Sequence, residues 1–124
     1  MSKIILMLGA FDTKGAEYAF LRQQILERGH TVITLNTGVL GSTDLFEVDI
    51  EADVVASAGG RDLETLQAEQ DRGEAMKVMS QGAPLVVQQL YGAGRFDGIV
   101  GMGGSGGSTV VTAAMRVLPV GLPK

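Results

Sequence analysis

Two glycine-rich segments carry the residues best suited to chemistry. The first is Gly9-Ala10-Phe11-Asp12-Thr13-Lys14-Gly15, and the second is Gly101-Met102-Gly103-Gly104-Ser105-Gly106-Gly107-Ser108-Thr109. Glycine lets backbone N–H groups close around an anion, and nearby hydroxyls add donors. In the second segment Gly101, Gly103 and Gly106 satisfy G-x-G-x-x-G, and Ser105, Ser108 and Thr109 supply the hydroxyls. No lysine precedes Ser108, so this is not a Walker A loop. The chemistry indicated is phosphate or carboxylate binding; the structural alternative is a tight strand-to-helix turn. In the first segment Lys14 has the charge to neutralise a phosphate. Asp12 suits a ribose hydroxyl, a Mg²⁺-bound water or Lys14 itself. Thr13 suits a helix cap, with Glu17 in the first turn that follows.

Positioning these loops requires strands before them and helices after them. Lys3–Leu8 is a continuous apolar run ending at Gly9, as a strand buried on both faces reads. Ala16–Arg28 sets Tyr18, Leu21, Ile25 and Leu26 at helical spacing and stops at Gly29. Thr31–Leu35 is a second strand, which makes a βαβ unit with a right-handed crossover. Ala52–Ala58 is expected as a third strand, and Asp62–Gln70 and Asp71–Gln81 as helical segments. Gly82-Ala83-Pro84 is expected to interrupt or kink this helix. Pro84–Gly94 continues as a helix with Leu85, Val86, Leu90 and Tyr91 on its apolar side. Ile99–Met102 is a fourth strand and Thr109–Arg116 a further helix.

The fold class is therefore α/β: a Rossmann-like open parallel sheet with helices on both faces, three layers deep. In the strand order 3-2-1-4 the first and fourth strands are neighbours. The winding direction reverses between them, and ligands bind at that point. The loops leaving those strands are the two glycine segments, so pattern and topology converge on one crevice.

Other residues carry weaker signals. The position where a dinucleotide site places its acid, at the end of the second strand, holds Asn36. With no G-x-G-x-x-G in the first loop, a dehydrogenase is disfavoured. His30, the single histidine, lies at the opposite end of the sheet. Asp44, Glu47, Asp49, Glu51 and Asp53 read as a solvated connection, and no metal site is expected. Arg61 is placed to reach the crevice, and Asp62 to cap the next helix.

Composition sets the limits. The 124 residues suit one domain, and 45% of them are hydrophobic, enough for a packed core. Eighteen glycines are roughly twice the average usage. The absence of cysteine rules out disulfides and thiolate metal sites and fits a reducing, cytoplasmic setting. A net charge of −4 argues against nucleic-acid and anionic-membrane partners. The N-terminal apolar run is too short for a signal peptide or a membrane span.

The segments LGAFDTKGAEYAFLRQQILERGH, TLNTGVLG and GRFDGIVGMGGSGGSTVVTAAMRVLPVGLPK resemble the Tm-1-like ATP-binding family, also called UPF0261. The resemblance runs along essentially the whole chain, and the pairing of D-T-K-G with G-G-S-G-G-S is specific to that family. It implies a longer protein with two Rossmann-like subdomains, of which residues 1–124 form most of the first. It implies ATP as the ligand, a dimer in the full-length protein and, from a plant member that binds a viral replication protein, a protein partner. Carried over by position, the family's loops fall on Asp12, Thr13, Lys14, Gly15 and Glu17, and on Gly103, Gly104, Ser105, Gly106, Gly107 and Ser108. The residues themselves leave three readings open: a nucleotide-binding module, an enzyme acting on a phosphorylated or nucleotide-sugar substrate, and a protein-interaction module with structural loops.

Overall fold

The apolar run after Lys3 forms β1 (Ile4–Gly9), which leads through a single residue into α1 (Phe11–Glu27) and back to β2 (Thr31–Asn36). The computed structural model describes residues 3–101 and 107–116. β1 and β2 are parallel, in register from Ile4 opposite Thr31 to Gly9 opposite Asn36. On its other side β1 pairs in parallel with β3 (Gly98–Val100), from Ile5 opposite Gly98 to Met7 opposite Val100. The order β2-β1-β3 puts the winding reversal between β1 and β3, as the sequence pattern requires.

Side-chain alternation along β1 divides the core into two layers. Leu6 and Leu8 join Leu35, Val87 and Ile99 on one face; Met7 joins Phe11, Tyr18 and Phe46 on the other. α1 covers the Met7 face. The Leu6 face is covered by α2 (Ala52–Ala58), α4 (Arg72–Gly92) and α5 (Gly107–Arg116), with α3 (Leu63–Glu69) contributing Leu66. The expected three-layer α/β arrangement is present.

Ala52–Ala58 is not a strand. It forms α2, burying Ala52, Val55 and Ala56 while Val54 is 47% exposed. That i, i+3, i+4 spacing outweighs the β-preference of the adjacent valines Val54 and Val55. The helix closes on Gly60 at φ 92°, where the Arg61 N–H reaches the Ala56 carbonyl at 3.0 Å and the Gly60 N–H reaches Ser57 at 3.0 Å. The strand edge expected there is taken instead by Ile50, which forms an isolated parallel bridge with Leu35. Ile50 donates to the Thr34 carbonyl at 2.9 Å and accepts from the Asn36 N–H at 2.8 Å, so the outer side of β2 is bonded at its carboxyl end.

Nor does Pro84 interrupt its helix. α4 runs unbroken from Arg72 to Gly92 with Pro84 inside. An interior proline costs about 3 kcal/mol. Val78, Met79, Val86, Val87 and Leu90 are buried along the same helix. At roughly 1.5–3 kcal/mol for each such side chain, their burial exceeds that cost. The buried stripe differs from the expected one, because Leu85 and Tyr91 are 47% and 38% exposed. α2 and α4 touch backbone to backbone: a Cβ on Gly82 would strike the Val55 carbonyl oxygen, and one on Gly59 the Val78 carbonyl oxygen. Among the described residues no helix is long and apolar enough to cross a membrane.

Candidate functional site

A cavity of about 520 Å³ opens at the carboxyl ends of the strands. Ala10, Asp12 and Thr13 reach it from the turn after β1, and Thr37, Gly38, Val39 and Leu40 from the segment after β2. Leu66, Gln67 and Gln70 of α3 and its exit form a further wall. Arg72, Ala75, Met76 and Met79 line it from α4, and Val110 from α5. Buried Leu66, Met79 and Val110 give it an apolar floor, and Asp12, Thr13, Gln67, Gln70 and Arg72 add polar groups, the mix usual at small-molecule sites.

Three helices present their first turns to this cavity: Asp12 and Thr13 of α1, Arg72 and Ala75 of α4, and Val110 of α5. All three run away from the carboxyl edge of a parallel sheet, so their N-terminal dipole ends converge. The three ends are not equivalent. In α1 the Phe11 N–H donates to Asn36 Oδ1 at 3.1 Å and the Thr13 N–H to Asp12 Oδ1 at 2.8 Å. In α4 the Glu74 N–H donates to Asp71 Oδ1 at 3.1 Å. α5 has no acidic residue in its first turn. Two of the helix ends therefore already hold protein oxygens, one of them a carboxylate of each helix's own.

Asp12 is consumed in holding the loop after β2. Its Oδ2 accepts the Leu40 N–H at 3.0 Å, and the carboxylate lies where a Gly38 side chain would otherwise begin. Asn36 is the second tie. It is fully buried, its Oδ1 accepts from both Phe11 and Gly38, and its Nδ2 donates to the Gly41 carbonyl at 2.9 Å and Glu51 Oε1 at 3.0 Å. Asn36 is thus turn and loop chemistry, with its amide fully occupied. Thr13 lies inside the first turn of α1 rather than at its cap, which is Ala10.

The cations are placed differently from expectation. Lys14 has non-helical φ/ψ inside α1, and its Nζ faces Glu17 Oε2 at 3.9 Å; it does not line the cavity. Arg61 is also turned elsewhere. Its Nη2 meets Glu69 Oε2 at 2.7 Å and its Nη1 meets Glu74 Oε1 at 2.9 Å, tying α3 to α4. The hydrogen bond to Glu69 holds the guanidinium above its ordinary pKa, with the charges of Glu69 and Glu74 acting in the same sense. Asp62 occupies the N-cap position of α3, but its carboxylate takes the Thr65 hydroxyl rather than a backbone N–H. Arg72, which sequence reasoning missed, is the cation on the cavity wall. The signal available was the Asp71-x-x-Glu74 spacing, which marks a helix start immediately before it.

Of the second glycine loop, Gly103, Gly104, Ser105 and Gly106 lie outside the described residues. Gly107, Ser108 and Thr109 open α5. Gly101, at the end of β3, is pressed between the Leu8 carbonyl at 2.9 Å and Val111 at 2.7 Å from the position of a Cβ, so β1, β3 and α5 meet there without a side chain. His30 sits at the far edge of the sheet, its Nδ1 accepting the Lys3 N–H at 3.1 Å. Part of the acidic run is engaged with β2: Asp49 accepts from Thr34, and Glu51 from Asn36 and Ser42.

Comparison with known proteins fits this architecture. Residues 3–124 match the family model described as "Uncharacterised protein family (UPF0261) N-terminal domain". The chain is 40% identical, over its whole length, to a UPF0261 protein of Clostridium tetani, of which it covers 30%. It is 38% identical over 98% of its length to a UPF0261 protein of Mesorhizobium japonicum, again covering 30%. It is 27% identical over 97% of its length to the tomato ToMV susceptible protein tm-1(GCR26), covering 18%. The chain thus spans less than a third of each of these relatives. Matched along nearly all of its residues by the N-terminal domain model, the chain belongs to the UPF0261 family.

Proposed function

We propose that the chain binds a nucleotide, ATP, in the cavity at the carboxyl ends of β1 and β2, with the phosphates against the second glycine loop and the start of α5. The observation that carries this is the inequality of the three converging helix ends. α1 and α4 already hold the oxygens of Asn36, Asp12 and Asp71 on N–H groups of their first turns, whereas α5 has no acid in its first turn and begins with Gly107-Ser108-Thr109. A phosphate is drawn to free N–H groups at a helix start. Gly103, Gly104, Ser105 and Gly106, with Gly107, Ser108 and Thr109, are the proposed cradle. Asp12 and Thr13 border the ligand from α1. Lys14 reaches it only by leaving Glu17.

The cavity suits such a ligand in size and lining. Its volume of about 520 Å³ falls in the ordinary range for small-molecule sites. Met76 and Met79 provide a soft apolar floor for a base. Calorimetric titration of ATP, ADP and NAD, each with and without Mg²⁺, tests the proposal. ATP binding is expected to fall by at least about tenfold in Ala75→Phe, which fills the cavity, and in Gly106→Val, which blocks the loop. ATP binding indifferent to both variants, or no binding of any nucleotide, defeats it.

A further inference from the structure

Arg72 is a cation without a partner among the described residues. It lines the cavity, is exposed, and makes no ion pair among the described residues. Its acidic neighbours are committed: Asp71 caps the Glu74 N–H, Glu74 pairs with Arg61, and Asp12 serves Thr13 and Leu40. Arg72 is also the first residue of α4, where a positive charge opposes the helix dipole. Helix stability therefore does not account for its position. A guanidinium on a cavity wall offers a planar fork of donors that matches a phosphate or carboxylate in two-point contact.

We infer that Arg72 anchors the anionic part of the cavity's ligand, across from α5, while Met76 and Met79 on the same helix meet its apolar body. The identity of that ligand as a nucleotide rests on the function proposed above; the anion contact at Arg72 does not. The role assigned by sequence to Lys14 passes to a residue 58 positions further along, on the opposite face of the sheet.

The test is calorimetric titration of the chain and of its Arg72→Gln and Arg72→Lys variants with ATP, tripolyphosphate and adenosine. Lys77→Gln, an equal loss of charge at an exposed site of α4 outside the cavity, is the control. Because Arg72 has no partner among the described residues, all variants are expected to melt as the parent does. Arg72→Gln is expected to weaken ATP and tripolyphosphate by about tenfold or more and leave adenosine unchanged, with Arg72→Lys intermediate and Lys77→Gln close to the parent. If Arg72→Gln binds ATP and tripolyphosphate as the parent does, the inference falls and the nucleotide proposal stands. If the parent binds tripolyphosphate through Arg72 but not ATP, the nucleotide proposal falls and the inference stands. If the parent binds neither, both fall.

Discussion

Asp12 and Leu40 are joined across 28 positions of sequence, the carboxylate Oδ2 accepting the Leu40 N–H at 3.0 Å. The other oxygen holds the Thr13 N–H, so one side chain both tops α1 and ties down the segment after β2. A residue that looks like a ligand in sequence is here a brace for the cavity wall.

Asp12→Ala is expected to cost about 1–2 kcal/mol of stability, since two bonds to a charged acceptor are lost at a half-exposed site. The Leu40 amide should lose its protection from hydrogen exchange, while amides of β1 keep theirs. Asp12→Asn should fall between. Unchanged exchange at Leu40 in Asp12→Ala would mean that the tie is not held in solution.

Asn36→Ala is expected to be more damaging. It strands the Phe11 and Gly38 N–H groups and the Gly41 carbonyl around a fully buried position. A loss of about 3 kcal/mol follows, read from the midpoint of urea unfolding. A loss near zero would show that water replaces the amide.

Tyr18 lies against Gly9, and its hydroxyl donates to the Leu8 carbonyl at 2.9 Å. Its ring meets Phe11 edge-on, with centroids 5.0 Å apart. Tyr18→Phe keeps the ring contact and removes the hydroxyl, so a loss of about 1 kcal/mol is expected. Gly9→Ala, which drives a methyl into the same ring, should cost more than Tyr18→Phe. The opposite order in thermal melts would contradict this packing.

Gly82→Ala tests the contact between α2 and α4. A methyl there meets the Val55 carbonyl oxygen, a backbone atom that cannot rotate aside. Overpacking of about 1–3 kcal/mol is expected even though alanine is the better helix former. A stabilised Gly82→Ala protein would show that the two helices separate freely.

Much of this was legible in the residues. The strand–glycine–helix pattern around Gly9 and Gly101 placed β1 and β3 side by side, and Gly29 ended α1 with φ 85°. Ala52–Ala58 was misread because two adjacent valines resemble a strand, although the buried set Ala52, Val55 and Ala56 follows a helical period. Pro84 does not interrupt α4 because its local cost, visible in sequence, is offset by burial that is not. The cavity was the least legible part. Its wall depends on α3 folding back so that Gln67 Nε2 reaches the Val39 carbonyl at 2.7 Å, a meeting across 28 positions that no local pattern announces. Lys14 stands between glycines in a segment that reads as a loop but folds as the start of α1, whereas Arg72 stands in an ordinary polar helix start.

The bonding of Ile50 to Thr34 and Asn36 also decides where another molecule's backbone is able to attach. An incoming strand finds the carboxyl half of the β2 flank already occupied. Among the described residues β3 pairs only with β1. Among the described residues the β3 edge alongside Gly98–Val100 therefore offers strand exchange or sheet-to-sheet aggregation a point of entry, and a charged residue introduced there is the natural guard against it.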